Sequence, residues 1–169
     1  MDFRLKKLKP GHGGLNMGIC PGIYGGAESW ADSIHIAEDS FWFLELGIKK
    51  HCRLYARPDA HYGVTEITRE EWSEILGEWD KLRTELDSAS LTTDLPVLRL
   101  VMKDVRKTFV RDFKRNCVGL SKLIGQLNEW MRTELVAHEH ISVLGICLIL
   151  RGCKPPPCMT RRGPFRIKR

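Results

Sequence analysis

Between residues 62 and 86 the chain carries a junction that leaves little choice of local structure. Tyr62-Gly63-Val64-Thr65-Glu66-Ile67 has the alternating, β-branched character of a strand, and Thr68-Arg69-Glu70-Glu71 follows at once. Thr68 and Glu71 have capping-box spacing: the threonine hydroxyl accepts from the Glu71 N–H while the Glu71 carboxylate accepts from the Thr68 N–H. Trp72, Ile75, Leu76, Trp79, Leu82 and Leu86 then recur along one stripe of the helix so begun. A helix with a single apolar stripe has to bury it, so the rest of the chain must supply a cover.

Candidates for that cover lie on both sides. Residues 2–9 read as a first strand with Phe3 and Leu5 on one face, and Ser33 to Ala37 as a short strand. From an N-cap at Asp39 or Ser40, Phe41 to Lys50 reads as a helix that is apolar almost all round, which implies deep burial or contact with a partner. Beyond a Ser-, Thr- and Asp-rich break at 88–96, Leu98, Val101, Met102, Val105, Phe109 and Phe113 keep helical spacing. Gly119 is expected to interrupt the pattern, and Leu120, Leu123, Ile124, Leu127, Trp130, Met131 and Leu135 continue it toward His138. Ile141 to Leu150 reads as a buried, central strand. Residues 10–26 hold Pro10 and seven glycines and read as a long loop, a functional or mobile element in a compact domain. The sum predicts an α+β fold, a mixed sheet of about four strands packed with about four helices, in a single domain over residues 1–150.

Charge is unevenly placed. The chain has 27 Lys and Arg against 21 Asp and Glu, yet every acid precedes residue 151. Residues 151–169 therefore read as a basic, poorly ordered tail, and Pro155-Pro156-Pro157 in it cannot donate backbone hydrogen bonds to a helix or central strand. Residues 1–150 are close to neutral, so attraction to nucleic acid would fall to the tail and to the bases on the helix after residue 98. The first ten residues alternate charged and apolar side chains, unlike a secretory leader, and Ile141–Leu150 is far shorter than the ~20 residues of a membrane helix. A cytoplasmic protein with no membrane association is expected. Its six cysteines are expected as free thiols, Cys52, Cys117 and Cys147 acting as small apolar residues.

Motifs that carry chemistry are sparse. Gly11-His12-Gly13-Gly14 follows a strand but lacks a following helix and the Gly-Lys-Ser/Thr of a phosphate loop, so a flexible loop is the better reading. His138 and His140, two apart on a strand, would share a face and could meet one metal ion, although two ligands fall short of a site. Cys153 and Cys158 bracket three prolines, with no second pair at comparable spacing. Glu66, Glu70, Glu71, Glu74 and Glu78 read as a solvent-facing acidic group rather than a general acid–base pair, with Glu78 in reach of Lys81 or Arg83. No serine, threonine or cysteine stands in a nucleophile signature, and no cofactor is implied. Phe41, Trp42 and Phe43 cannot all point inward from one helix, so at least one reaches a second packing surface or a partner.

Over about residues 30–147, the order of strand, aromatic helix, Tyr62 to Trp72 junction, long helices and Ile141-Ser142-Val143-Leu144-Gly145-Ile146 resembles small bacterial cytoplasmic proteins of uncharacterised or immunity type. The resemblance implies a non-catalytic protein that binds and neutralises a protein partner, typically a toxin domain, through a shaped and charged surface. The basic tail departs from that pattern. Phe41, Trp42, Phe43, Glu70, Glu74 and Glu78 are the residues expected to face such a partner. Nucleic-acid binding through Lys107, Arg111, Lys114, Arg115, Arg161 and Arg162 is the alternative, and it requires the helical bases to align on one face. A metal-dependent enzyme using His138 and His140 is the third reading.

Overall fold

The capping box forms as its spacing predicts: Thr68 Oγ1 accepts the Glu71 N–H at 3.3 Å, and a Glu71 carboxylate oxygen accepts the Thr68 N–H at 3.1 Å. The structure, a computed structural model, describes residues 1–7, 15–25, 32–57 and 60–146. In chain order its elements are β1 (Lys6–Lys7), β2 (Asn16–Pro21), β3 (Ile34–Ala37), α1 (Glu38–His51), β4 (Val64–Thr68), α2 (Arg69–Ser88), α3 (Lys103–Arg111), α4 (Phe113–Ala137) and β5 (His140–Leu144). Short 3-10 turns occupy Ala60–Tyr62, Thr92–Asp94 and Pro96–Arg99. The Gly11–Gly14 turn, Cys147, Cys153, Cys158 and the basic tail with Arg161 and Arg162 lie outside the described residues.

All six residues of the α2 stripe are buried. A buried indole N–H needs an acceptor. Trp72 Nε1–H donates to the Ile141 carbonyl of β5 at 3.1 Å, and Trp79 Nε1–H donates to the Leu44 carbonyl of α1 at 3.0 Å. The two rings meet edge-on, 5.7 Å apart. Gly47 permits the second bond, because a Cβ there would sit 3.0 Å from Trp79 Nε1. On its other side α2 packs on α4, whose Leu120, Leu123, Ile124, Leu127, Met131 and Leu135 are buried. Polar ties flank this contact: Asp80 accepts from Asn128 at 2.7 Å and from Arg132 at 2.6 Å, and Ser121 donates to Asp87 at 2.6 Å.

The described strands form one five-stranded sheet in the order β1-β3-β2-β5-β4, antiparallel at every pairing. Ile19 of β2 stands opposite Ile34 of β3 and Val143 of β5, and Ile67 of β4 stands opposite Ile141, so one face is apolar across the sheet. The opposite face is buried at its centre too, at Cys20, His35, Ser142 and Leu144. Ser142 is satisfied there: its hydroxyl donates to the Gly22 carbonyl at 2.8 Å and accepts the Tyr24 N–H at 3.2 Å. Gly22, with φ of 73°, turns the chain out of β2 in a left-handed conformation that glycine adopts without strain.

Architecture and helix number agree with the α+β expectation, and the last strand is paired on both sides as a central strand requires. Four local readings change. Asn16–Pro21, expected within a loop, is an inner strand; its glycine lowers strand propensity, but pairing with both β3 and β5 overrides that. Of the expected strand over residues 2–9, residues 2–5 are not strand and Lys6–Lys7 are, with residues 8–9 outside the described residues. Helix α1 starts at Glu38 without a side-chain cap, since the Ser40 hydroxyl donates instead to the Asp2 carbonyl at 2.7 Å. The helical break falls at Asp112, not Gly119: Asp112 leaves helical geometry, and Asn116 Nδ2 donates to the freed Phe109 carbonyl at 2.8 Å. Helix α4 runs through Gly119, whose missing Cβ makes room for the Phe3 ring, 2.5 Å from where that Cβ would stand.

After β5, the Gly145 N–H donates to the Gly63 carbonyl at 2.7 Å, and a Cβ at Gly145 would lie 2.5 Å from the His61 carbonyl oxygen. Backbone cannot yield as a side-chain tip can, so Gly145→Ala is expected to cost about 1–3 kcal/mol. Gly77 in α2 is the contrasting case: an added methyl meets nothing within 4 Å. Gly77→Ala should stabilise by about 0.5–1 kcal/mol through helix propensity. Thermal unfolding followed by circular dichroism would show the two midpoints moving in opposite directions.

Candidate functional site

The densest group of chemistry-bearing side chains gathers where α1 faces the Ala60–Tyr62 turn. Glu38 and Glu45 are seven residues apart, so two helical turns bring them onto one side of α1. Glu45 is 1% exposed, and a carboxylate so placed requires compensation. It receives three partners: His61 Nδ1 at 2.9 Å, Lys49 Nζ at 2.8 Å and the Tyr55 hydroxyl at 3.3 Å. The other ring nitrogen, His61 Nε2, lies 3.3 Å from a Glu38 carboxylate oxygen. One hydrogen is needed between each ring nitrogen and its carboxylate, so the imidazole is engaged on both edges. Burial, followed by the Glu45 charge, pushes the Tyr55 phenol well above its ordinary range, which keeps it a donor.

Trp42 closes the group, stacking on His61 with centroids 4.7 Å apart, while Lys49 Nζ sits 5.6 Å from the Trp42 ring centroid. Tyr62 meets His61 edge-on at 5.3 Å. The aromatic triplet therefore divides. Phe41 and Phe43 are buried core residues, and Trp42 is the member of the triplet that reaches the His61 ring. The cluster can hold a proton network and tie α1 to the turn, but its imidazole is 8% exposed and both its nitrogens are occupied. The pairing of Glu45 with His61 is not legible in the sequence. The available signal was a lone acid inside an otherwise apolar helix.

The remaining candidates are placed as follows. Glu70 and Glu74 are exposed on α2. Glu78 is paired, 2.7 Å from Lys81 and 2.9 Å from Lys50, and those hydrogen bonds hold its carboxyl down to about 2 from an ordinary 4.5. Lys107 and Arg111 on α3 and Lys114 and Arg115 on α4 are exposed. His138 ends α4 rather than entering β5, so the shared strand face proposed for His138 and His140 does not exist. His138 Nε2 instead lies 3.7 Å from Glu134. Among the described residues no group of three His, Cys, Asp or Glu side chains is arranged to hold a metal. Cys20, Cys52 and Cys117 are buried, and burial pushes the Cys52 and Cys117 thiols up, away from nucleophilic thiolate. Among the described residues no helix is long and apolar enough to cross a membrane.

Two surface grooves flank α2. One, of about 320 Å³, runs between α1 and α2 over Phe43, Leu46, Trp79 and Leu82 and ends at Val97 and Leu100. The other, of about 350 Å³, lies between α2 and α4, with Arg69, Asp80 and Arg132 among its lining residues. No protein-family model, curated protein or solved structure matches the chain.

Two outcomes follow from these contacts. His61→Ala leaves the buried Glu45 with one hydrogen-bond partner fewer and is expected to cost about 1–3 kcal/mol, whereas Glu38→Ala, at a partly exposed carboxylate, should cost about 1 kcal/mol, both read from urea midpoints. Glu78 has a lowered folded-state pKa, so its contribution is present above pH 4.5 and is lost as pH falls through about 2. Glu78→Gln should therefore flatten stability against pH across that window in acid titrations, and high salt should shrink the difference because both lysines are mainly exposed.

Proposed function

We propose that this chain is a non-catalytic, partner-binding protein of the immunity type, one that neutralises another protein by covering part of its surface. The observation that carries the reading is the division of charge. Between Arg99 and Lys122 eight bases stand against two acids, Asp104 and Asp112, and all eight bases are exposed. The remainder of residues 1–150 is acidic in balance, with Glu70 and Glu74 exposed on α2. Separated patches of opposite sign steer and select macromolecular partners. The polar cluster around Glu45 and His61 is buried and bonded within itself, which suits a structural role. A bacterial cytoplasmic setting belongs to the same reading.

A second reading, nucleic-acid binding, has one observation in its favour. Lys103, Arg106 and Lys107 align on a single exposed side of α3, although Lys114 and Arg115, which that reading also needs on the same helix, lie beyond the break at Asp112 on α4. Affinity capture with the full-length chain from its native cell extract, with and without nuclease, separates the two. Recovery of one protein in stoichiometric amount, unchanged by nuclease, is the expected result. Recovery of nucleic acid, or of proteins that vanish with nuclease, would favour the second reading, and recovery of nothing would count against both.

A further inference from the structure

We propose that the exposed surface around the α3–α4 junction is the face this chain presents to an acidic protein partner that also carries apolar side chains. The inference rests on the partner-binding reading and adds to it the surface and the partner's chemistry.

Lys103, Arg106, Lys107 and Val110 stand at i, i+3, i+4 and i+7 of α3 and form one exposed stripe, on the side away from the buried Val105 and Phe109. On α4, Lys114, Val118 and Lys122 stand at i, i+4 and i+8 and are likewise exposed. Each helix thus shows aliphatic side chains set among bases. The charge is largely uncompensated: Lys107 lies 3.7 Å from Asp104 and Arg111 3.8 Å from Asp112, all four well exposed, while the other bases of the surface make no ion pair among the described residues.

The aliphatic side chains decide between partner classes. Of ten large apolar side chains exposed among the described residues, four, Leu100, Met102, Val110 and Val118, fall within the nineteen residues that also carry most of these bases. A phosphate backbone is recognised by the bases and gains nothing from covering branched aliphatics. A bilayer surface is bound through a broad apolar helix face rich in aromatic and leucine side chains, and the apolar face of α3 is already spent on the core through Val105 and Phe109. An acidic protein surface with apolar side chains satisfies both kinds of group together. Leu100, 68% exposed, also lines the groove between α1 and α2, whose apolar lining of Leu46, Leu82 and Val97 is bordered by Lys50, Lys81, Glu78 and Glu85.

The full-length chain is titrated, at about 150 mM salt, with a fluorescent peptide of glutamate and leucine, a peptide of the same length and charge with serine for leucine, single-stranded and duplex DNA, and phosphatidylserine vesicles. The glutamate–leucine peptide should bind about tenfold more tightly than the glutamate–serine peptide, and more tightly than DNA or vesicles. The charge reversal K103E/R106E/K107E should weaken it by about tenfold or more, and L100S/V110S should remove the difference between the two peptides. Every substituted side chain is exposed, so the circular dichroism spectrum and melting midpoint of each variant should stay close to the parent. Equal binding of the peptides, tighter binding of DNA or vesicles, no binding of any probe, or indifference to the charge reversal overturns the proposal. A protein captured from extract equally well by the charge-reversed chain overturns this surface while leaving the partner-binding reading in place.

Discussion

Two indole N–H groups on one helix hold the layers of this protein in relation to each other. Trp72 and Trp79 lie on the same stripe of α2, yet one donates to the sheet through Ile141 and the other to α1 through Leu44. Apolar burial alone would tolerate some sliding of α2 over its neighbours, because hydrophobic contact has no direction. A hydrogen bond from a buried ring has direction, and an unmet one is costly. The position of α2 is therefore set along both layers at once. Gly47, where a side chain would crowd Trp79, shows α1 adapted to the same constraint. The α2–α4 contact, with Asp80 and Asp87 each accepting from α4, then places the longest helix.

What could be read in advance divides by the range of the interactions responsible. Helix α2 was legible from its start because the capping box and the stripe are local, completed within a few residues of themselves. The interior placement of the last strand was legible from its apolar run. Strand β2 was not: its identity comes from partners far away in sequence, and nothing within Asn16–Pro21 distinguishes it from the glycine-rich segment around it. The Phe41-Trp42-Phe43 triplet was read correctly in that one ring had to reach a second surface, but the surface is His61 of the same chain. The Glu45–His61 contact joins residues sixteen apart through the fold, and only the oddity of an acid in an apolar helix pointed toward it. The alignment of Lys103, Arg106 and Lys107 was legible from their helical spacing, whereas the break at Asp112, which sets Lys114 and Arg115 on a separate helix, was not.

Polar chemistry is thus used in two ways in one small fold. Inside, carboxylates, an imidazole and a phenol bond to one another and fasten α1 to the turn that precedes β4. Outside, Lys103 and Arg106 on α3 and Lys114, Arg115 and Lys122 on α4 make no ion pair among the described residues, although the chain has acids to spare elsewhere. Surface charge left unpaired does little for stability. Its value lies in what approaches the protein from solution.

The order of strands has a consequence for how the chain reaches this state. Strand β5 lies between β2 and β4, and Ser142 on it bonds to Gly22 across 120 positions of sequence. Until His140–Leu144 arrives, β4 has no neighbour in the sheet, and β2 has β3 on one side only. Closure of so long a loop is slow compared with helix formation. During synthesis, then, two strands rich in Ile, Met and Val wait with open hydrogen-bonding edges. That interval, rather than the finished molecule, is when pairing with another nascent copy competes with folding.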